Sequence, residues 1–176
     1  MRWVFLDGCR VSGLRGSANV PSGRLCTLSA VPILNEGRPV PRDRIEDILW
    51  EGDRPDRARD RLNTMLWRLR KLVKQAGGEK DVFRNHRDFL VYEDKSGEES
   101  DLAEIGRLAR MVMRSCISTQ DQVYDCMAII QSCHTEFLPH ATDHWSIITR
   151  ESPRSAVIMI IEALIVICVR ATDGDG

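Results

Sequence analysis

Apolar residues recur along this chain with two different periods. From Ala58 to Lys74 (ARDRLNTMLWRLRKLVK) they return every three or four positions, so that Leu62, Met65, Leu66, Leu69, Leu72 and Val73 gather on one arc at 100° per residue. That spacing predicts a helix from about Pro55 to Gln75, stopped by Gly77-Gly78. Ahead of it, Ile45, Ile48 and Leu49 mark a shorter helix within GRPVPRDRIEDILW, with Pro41 suited to its first turn. LCTLSAVPIL predicts a first helix over about 24–35, kinked at Pro32, because an internal proline deletes one backbone bond and crowds the preceding turn. Asn35-Glu36-Gly37 ends it with a residue able to adopt positive φ. The other period is that of strands. Trp3–Leu6 and Cys9–Val11 flank Asp7-Gly8, a tight-turn dipeptide, and Val82-Phe83 and Phe89–Tyr92 flank a polar tip, Arg84–Asp88. The Gly/Ser-rich stretch Ser12–Gly23 reads as loop.

Three helices joined by two short turns and closed by a hairpin are the layout of a winged helix-turn-helix. Beyond it, Glu93–Ser100 (EDKSGEES) is polar throughout and reads as a linker. Amphipathic helical patterns then run over about 101–116, 119–134 and 145–170, the last divided by Pro153. The predicted fold is therefore mainly α: a winged helix-turn-helix with small β-hairpins over residues 1–92, a linker over 93–100, an all-α domain over 101–170 and a tail over 171–176.

Charge is spread unevenly. Residues 1–53 carry 7 basic and 7 acidic side chains, residues 54–92 carry 11 and 5, and residues 93–176 carry 7 and 14. The near-neutral total of -1 thus hides a basic middle joined to an acidic half, the distribution expected of a phosphate-binding module with a second module attached. From Arg57 on, the long helix holds seven cations against the single acid Asp60. Its non-apolar arc presents Arg59, Arg61, Asn63, Thr64, Trp67, Arg68, Lys71 and Lys74. Arginine can bond guanine bidentately, asparagine can pair with adenine, threonine can meet a thymine methyl, and lysine can hold phosphates. Trp67 stands amid the polar arc, placed to stack on sugar or base edges or to tuck against the wing. Arg84, His86 and Arg87 put cations at the hairpin tip, where a wing reaches an adjacent minor groove.

These residues resemble a known family. GRPVPRDRIEDILWEGDRPDRARDRLNTMLWRLRKLV is similar to the DNA-binding domain of OmpR-like winged-helix regulators that carry a bacterial transcriptional activator domain, among them the antibiotic regulatory proteins of Streptomyces (SARP family). The matching elements are Gly37–Val40, Leu49-Trp50, Glu51-Gly52-Asp53, Ala58-Arg59, Leu62 and Arg68-Leu69-Arg70. Past the linker, Ser100-Asp101-Leu102 and TEFLPHATDHWSIITRES, with Phe137, Leu138, Pro139, Asp143, Trp145 and Arg150 in register, continue the likeness. The resemblance implies a third helix in the major groove, a TPR-like helical activator domain, promoter DNA and RNA polymerase as partners, and paired binding on DNA. It departs from the family in an N-terminal sheet that looks short, in Pro32, and in Pro41 where a capping Ser or Thr is common.

Other chemistry is weakly represented. The six cysteines contain no CxxC pair and MRWVFLDGCR lacks a signal-peptide core, so reduced cysteines in a bacterial cytoplasm, near the nucleoid, are expected. Cys126, Cys133, His140 and His144 are the best metal candidates, but the two cysteines stand seven apart and the segment contains Pro139; no metal or cofactor is expected. Neither a nucleophile elbow, a phosphate loop nor HExxH is present, so an enzyme is not expected. Ala156–Val169 is apolar but interrupted by Glu162 and shorter than the roughly 20 residues that cross a bilayer. No membrane segment is expected, and the stretch reads as a helix buried against partner helices, with Ile158–Val169 offering a face for a homodimer or side-by-side oligomer. The alternative function is a protein-interaction module of the same family whose DNA binding has decayed.

Overall fold

The computed structural model describes residues 1–6, 8–21, 23–78, 82–94, 100–114, 120–132 and 136–173. Strands β1 (Arg2–Val4), β2 (Arg10–Gly13) and β3 (Gly16–Asn19) form an antiparallel sheet in that order. Helices α1 (Gly23–Leu34), α2 (Arg42–Leu49) and α3 (Pro55–Gln75) follow, with the two-residue strand β4 (Val40–Pro41) before α2. A hairpin of β5 (Phe83–Asn85) and β6 (Phe89–Tyr92) joins β4 in a second sheet, order β4-β6-β5. Then come α4 (Asp101–Met113), α5 (Gln120–Ser132), α6 (His144–Thr149) and α7 (Glu151–Asp173).

The N-terminal sheet is fuller than its sequence reads. Gly16–Asn19 is a strand rather than loop, although GSAN holds no strong strand former; the pair Gly13↔Gly16 closes a two-residue turn that sets its register. The ideal Cβ of a residue at 13 would lie 2.6 Å from the Ala76 carbonyl oxygen, and Arg15 N–H donates to that oxygen at 3.2 Å, so the turn sits on the end of α3. The first turn is wider than Asp7-Gly8 implied. Register Trp3↔Val11 leaves residues 5–9 between the strands, and two N–H groups there are drawn elsewhere: Phe5 and Leu6 donate to the Asp101 carboxylate at 2.8 and 2.9 Å.

The helices follow their apolar faces. Proline 32 lies in the last turn of α1, where the helix has only two residues left to lose. Glu36 and Gly37 both take positive φ at the stop. Pro41 precedes α2 with no side-chain cap, whereas Ser100 caps α4 by accepting from Ala103 N–H at 3.1 Å. Helices α6 and α7 part at Arg150, three residues before Pro153, and Arg150 itself keeps helical dihedrals.

One hydrophobic cluster runs from the first strand to the last helix. Trp3 and Phe5 stack at 5.9 Å, Trp3 meets Phe83 edge-on at 5.8 Å, Phe5 meets Phe137 at 6.2 Å, and Phe137 meets Trp145 at 6.3 Å. Polar contacts follow the same path. Thr27 on α1 donates to Asp143 at 2.7 Å, and Arg150 holds the carbonyls of Phe137, Leu138 and Ala141 at 3.0, 2.8 and 2.7 Å. Burial raises the pKa of Asp101 above the usual carboxylate range against the pull of three backbone N–H donors. Of the expected linker, residues 95–99 lie outside the described residues, as do Cys116, Cys133 and His134.

Two expectations for the last helix are corrected. The apolar run belongs to a helical stretch of 26 residues, His144–Val169, whose most apolar 18 residues have a mean hydropathy of 2.0, so the stretch is long and apolar enough to cross a membrane by length and composition. Only 11% of its most apolar window is buried, because α7 packs on α4, α5 and α6 from one side and leaves the other open.

Candidate nucleic-acid interface

Helix α3 is oriented by what it buries. Ala58, Leu62, Leu66, Leu69 and Val73 face the core, which turns the opposite arc outward. Arg59, Arg61, Asn63, Thr64, Trp67, Arg68, Lys71 and Lys74 are all exposed. Pro55 occupies the first helical position, Asp56 the first turn and Lys74 the last, an order that suits the helix dipole. Trp67 is 62% exposed, a large apolar surface left in water, and the Lys71 ammonium lies 5.6 Å from its ring.

The β5–β6 hairpin stands beside this arc. Its tip presents Arg84, His86 and Arg87 to solvent, with the His86 ring stacked 4.5 Å from that of Phe89 and the His86 backbone N–H donating to the Phe89 carbonyl at 2.9 Å. Arg70 braces the hairpin, donating from Nη2 to the Phe83 carbonyl at 2.8 Å. Between helix and hairpin lies a groove of about 760 Å³, with Trp67, Lys71 and Lys74 on one wall and Arg84, Asn85 and His86 on the other. Arg70 and Phe83 complete it, and no acidic side chain lines it among the described residues. Cations on both walls, with no acidic side chain lining the groove itself, make a seat for an anionic chain.

Beneath the groove is a residue that sequence reasoning passed over. Arg42, at the start of α2, is 9% exposed. Its Nη1 donates to Asn85 Oδ1 at 2.5 Å, its Nη2 to Asn63 Oδ1 at 2.9 Å, and its Nε lies 3.9 Å from Glu46. Burial lowers the Arg42 pKa and raises that of Glu46. The guanidinium ties α2, α3 and the hairpin together. It also occupies one of the two lone pairs of the Asn63 carbonyl oxygen and so fixes which way that amide presents its N–H donors. GRPVPRDR holds three arginines, and nothing in its composition marks Arg42 as the one that turns inward.

The other predicted residues divide. Arg61 pairs with Asp53, Arg84 lies 3.1 Å from Glu93, and the Thr64 hydroxyl donates to the Asp60 carbonyl at 3.0 Å. Both ion pairs are largely exposed and so weakly held. On the far side of Trp67 a larger groove, about 1770 Å³, separates α3 from residues 140–147. Arg24, Arg61, Arg68 and Lys71 line it, but so do Glu51, Asp53, Asp60 and Asp143, so its fixed charges balance. Of the four metal candidates, Cys126 is buried, His140 and His144 are exposed, and Cys133 lies outside the described residues.

No family model matches the chain, and no curated protein does. Among solved structures, Mycobacterium tuberculosis EmbR, in complex with a low-affinity phosphopeptide, superposes with a TM-score of 0.75 at 18% sequence identity. The match covers 98% of this chain and 47% of that one, so the chain spans about half of EmbR's length. At this identity the likeness is one of fold. Over the matched half the chain shares EmbR's fold, mainly helical with small antiparallel sheets.

Proposed function

We propose that the chain is a sequence-specific, DNA-binding transcriptional regulator of the winged-helix type. In this reading α3 enters the major groove, the β5–β6 hairpin lies at the adjacent minor groove, and the TPR-like helical half contacts RNA polymerase. The observation that carries it is the groove between α3 and the hairpin, cationic on both walls and rimmed by an exposed tryptophan. A duplex backbone suits that charge, and Trp67 suits a sugar or base edge. The fold shared with EmbR supports the regulator reading, and EmbR's phosphopeptide is a precedent, in that protein, for a protein partner. The reading is of a non-enzymatic cytoplasmic protein acting at the nucleoid without cofactor or metal.

The test is titration of the purified chain against fluorescent duplex from its own upstream region across a salt series, beside Arg68→Ala/Lys71→Ala. Binding that weakens steeply with salt, with a log–log slope reduced by about 2 in the variant, supports the proposal. A second reading, an interaction module with decayed DNA binding, draws on the acid partners of Arg61 and Arg84 and the balanced charge of the larger groove. Weak binding that ignores both salt and the substitutions favours it.

A further inference from the structure

The open side of α7 has a regular pattern of its own. Because Arg150 keeps helical dihedrals, one phase runs through α6 and α7, and positions 147, 151, 154, 158, 161, 165 and 168 recur at alternating steps of four and three. That is a seven-residue repeat, the period of a helix that packs along another helix. Every one of these positions is exposed. Large apolar groups dominate the ends of the face: Ile147 at the start is 49% exposed, and Ile158 and Ile165 are 49% and 57% exposed. Its polar members are Glu151, Arg154 and Ser155, with Glu162 farther along.

We infer that this face is a dimerisation surface whose occupant is α6–α7 of a second copy, lying antiparallel about a two-fold axis at Ile158. Charge decides the register. Around an axis at 158, residue 158 + n meets residue 158 − n of the other copy. Glu162 then meets Arg154, and symmetry makes the pair twice. The same register sets Val169 level with Ile147, so the apolar end of each helix covers the apolar start of the other. Ile158 meets its own copy at the centre. Sliding the register by a turn separates both charge pairs. One pairing is unfavourable: Glu151 falls level with Ile165. A face that satisfies itself through two-fold symmetry closes at two copies instead of growing into a filament. The inference stands apart from the DNA reading, because its tests contain no nucleic acid.

Sedimentation of the full chain over a concentration series tests it, with far-ultraviolet circular dichroism confirming the fold of each variant. Arg154→Glu and Glu162→Arg are each expected to weaken the dimer about tenfold or more, and the double exchange to restore it, because reversed pairs re-form across the axis. Glu151→Leu is expected to tighten it. A cross-link fixes the register without relying on affinity. In a Cys168→Ser background, Ile158→Cys should form a disulfide-linked dimer under mild oxidation. Ile165→Cys should not, since its two copies would stand roughly 21 Å apart along the axis. A chain that stays monomeric throughout overturns the inference, as does a dimer indifferent to both charge reversals. So does binding to phosphatidylcholine–phosphatidylglycerol vesicles that Ile158→Glu abolishes while the free chain remains monomeric; the face would then meet lipid.

Discussion

Helices α3 and α7 are similar in length, 21 and 23 residues, and each presents one side to the core, yet they treat water in opposite ways. On α3 the buried arc is apolar and the outer arc carries five of the cations assigned to the interface. On α7 the buried side holds Ile160 and Leu164, and the outer side is again largely apolar. A helix that ends at solvent gains nothing from a second apolar face. The contrast therefore matches the two partners proposed above: a polyanion for α3, whose outer arc water can solvate until it is displaced, and an apolar surface for α7, whose outer side water disfavours from the start.

Matched truncations would break the comparison most sharply. Leu69, fully buried on α3, is expected to lose about 2–5 kcal/mol of stability as Leu69→Ala, whereas Ile165→Ala in dilute solution should change it by about 0.5 kcal/mol or less. Urea unfolding of both variants checks this, and equal losses would mean that α7 is covered in solution. Next in size is Asp101→Ala. It strips the acceptor from Phe5 and Leu6 N–H at the point where α4, the main support of α7, meets β1, and should cost about 1–3 kcal/mol. The smallest effect concerns pH. With its folded-state pKa raised by burial, the Asp101 contribution is fully present below the unfolded pKa and is lost as pH rises through the folded value. Stability curves of wild type and Asp101→Asn should therefore differ most in slope between those two values, the wild type losing ground to the variant as pH rises.

Much of this was legible in the sequence, for reasons that differ by element. Helix α3 was found nearly to the residue because its apolar period, Pro55 and Gly77 all point to the same boundaries. The hairpin tip was found because Arg84–Asp88 interrupts two apolar runs. Strand β3 was not, because Gly16–Asn19 owes its conformation to the turn and to α3 beneath it and not to its own side chains. All eleven residues proposed for the interface are exposed, but their readiness is unequal. Asn63 is held by Arg42 and Arg84 lies beside Glu93 just after β6, pairings made by the fold that leave no local pattern. For α7 the sequence offered both a helix buried against partner helices and an open face over Ile158–Val169, because an apolar run records what a residue prefers, not what is there to cover it.

The row of rings from Trp3 through Phe5 to Phe137 and Trp145 sets an order on the birth of the protein. Phe5 waits 132 residues for its contact with Phe137, a delay of about 7–26 s at a synthesis rate of roughly 5–20 residues per second. During that interval helix α3 can coil and the hairpin can close, while the first sheet lacks the ring that caps it. The half that would meet DNA is thus completed only when about half of the helical half, through Phe137, has left the ribosome.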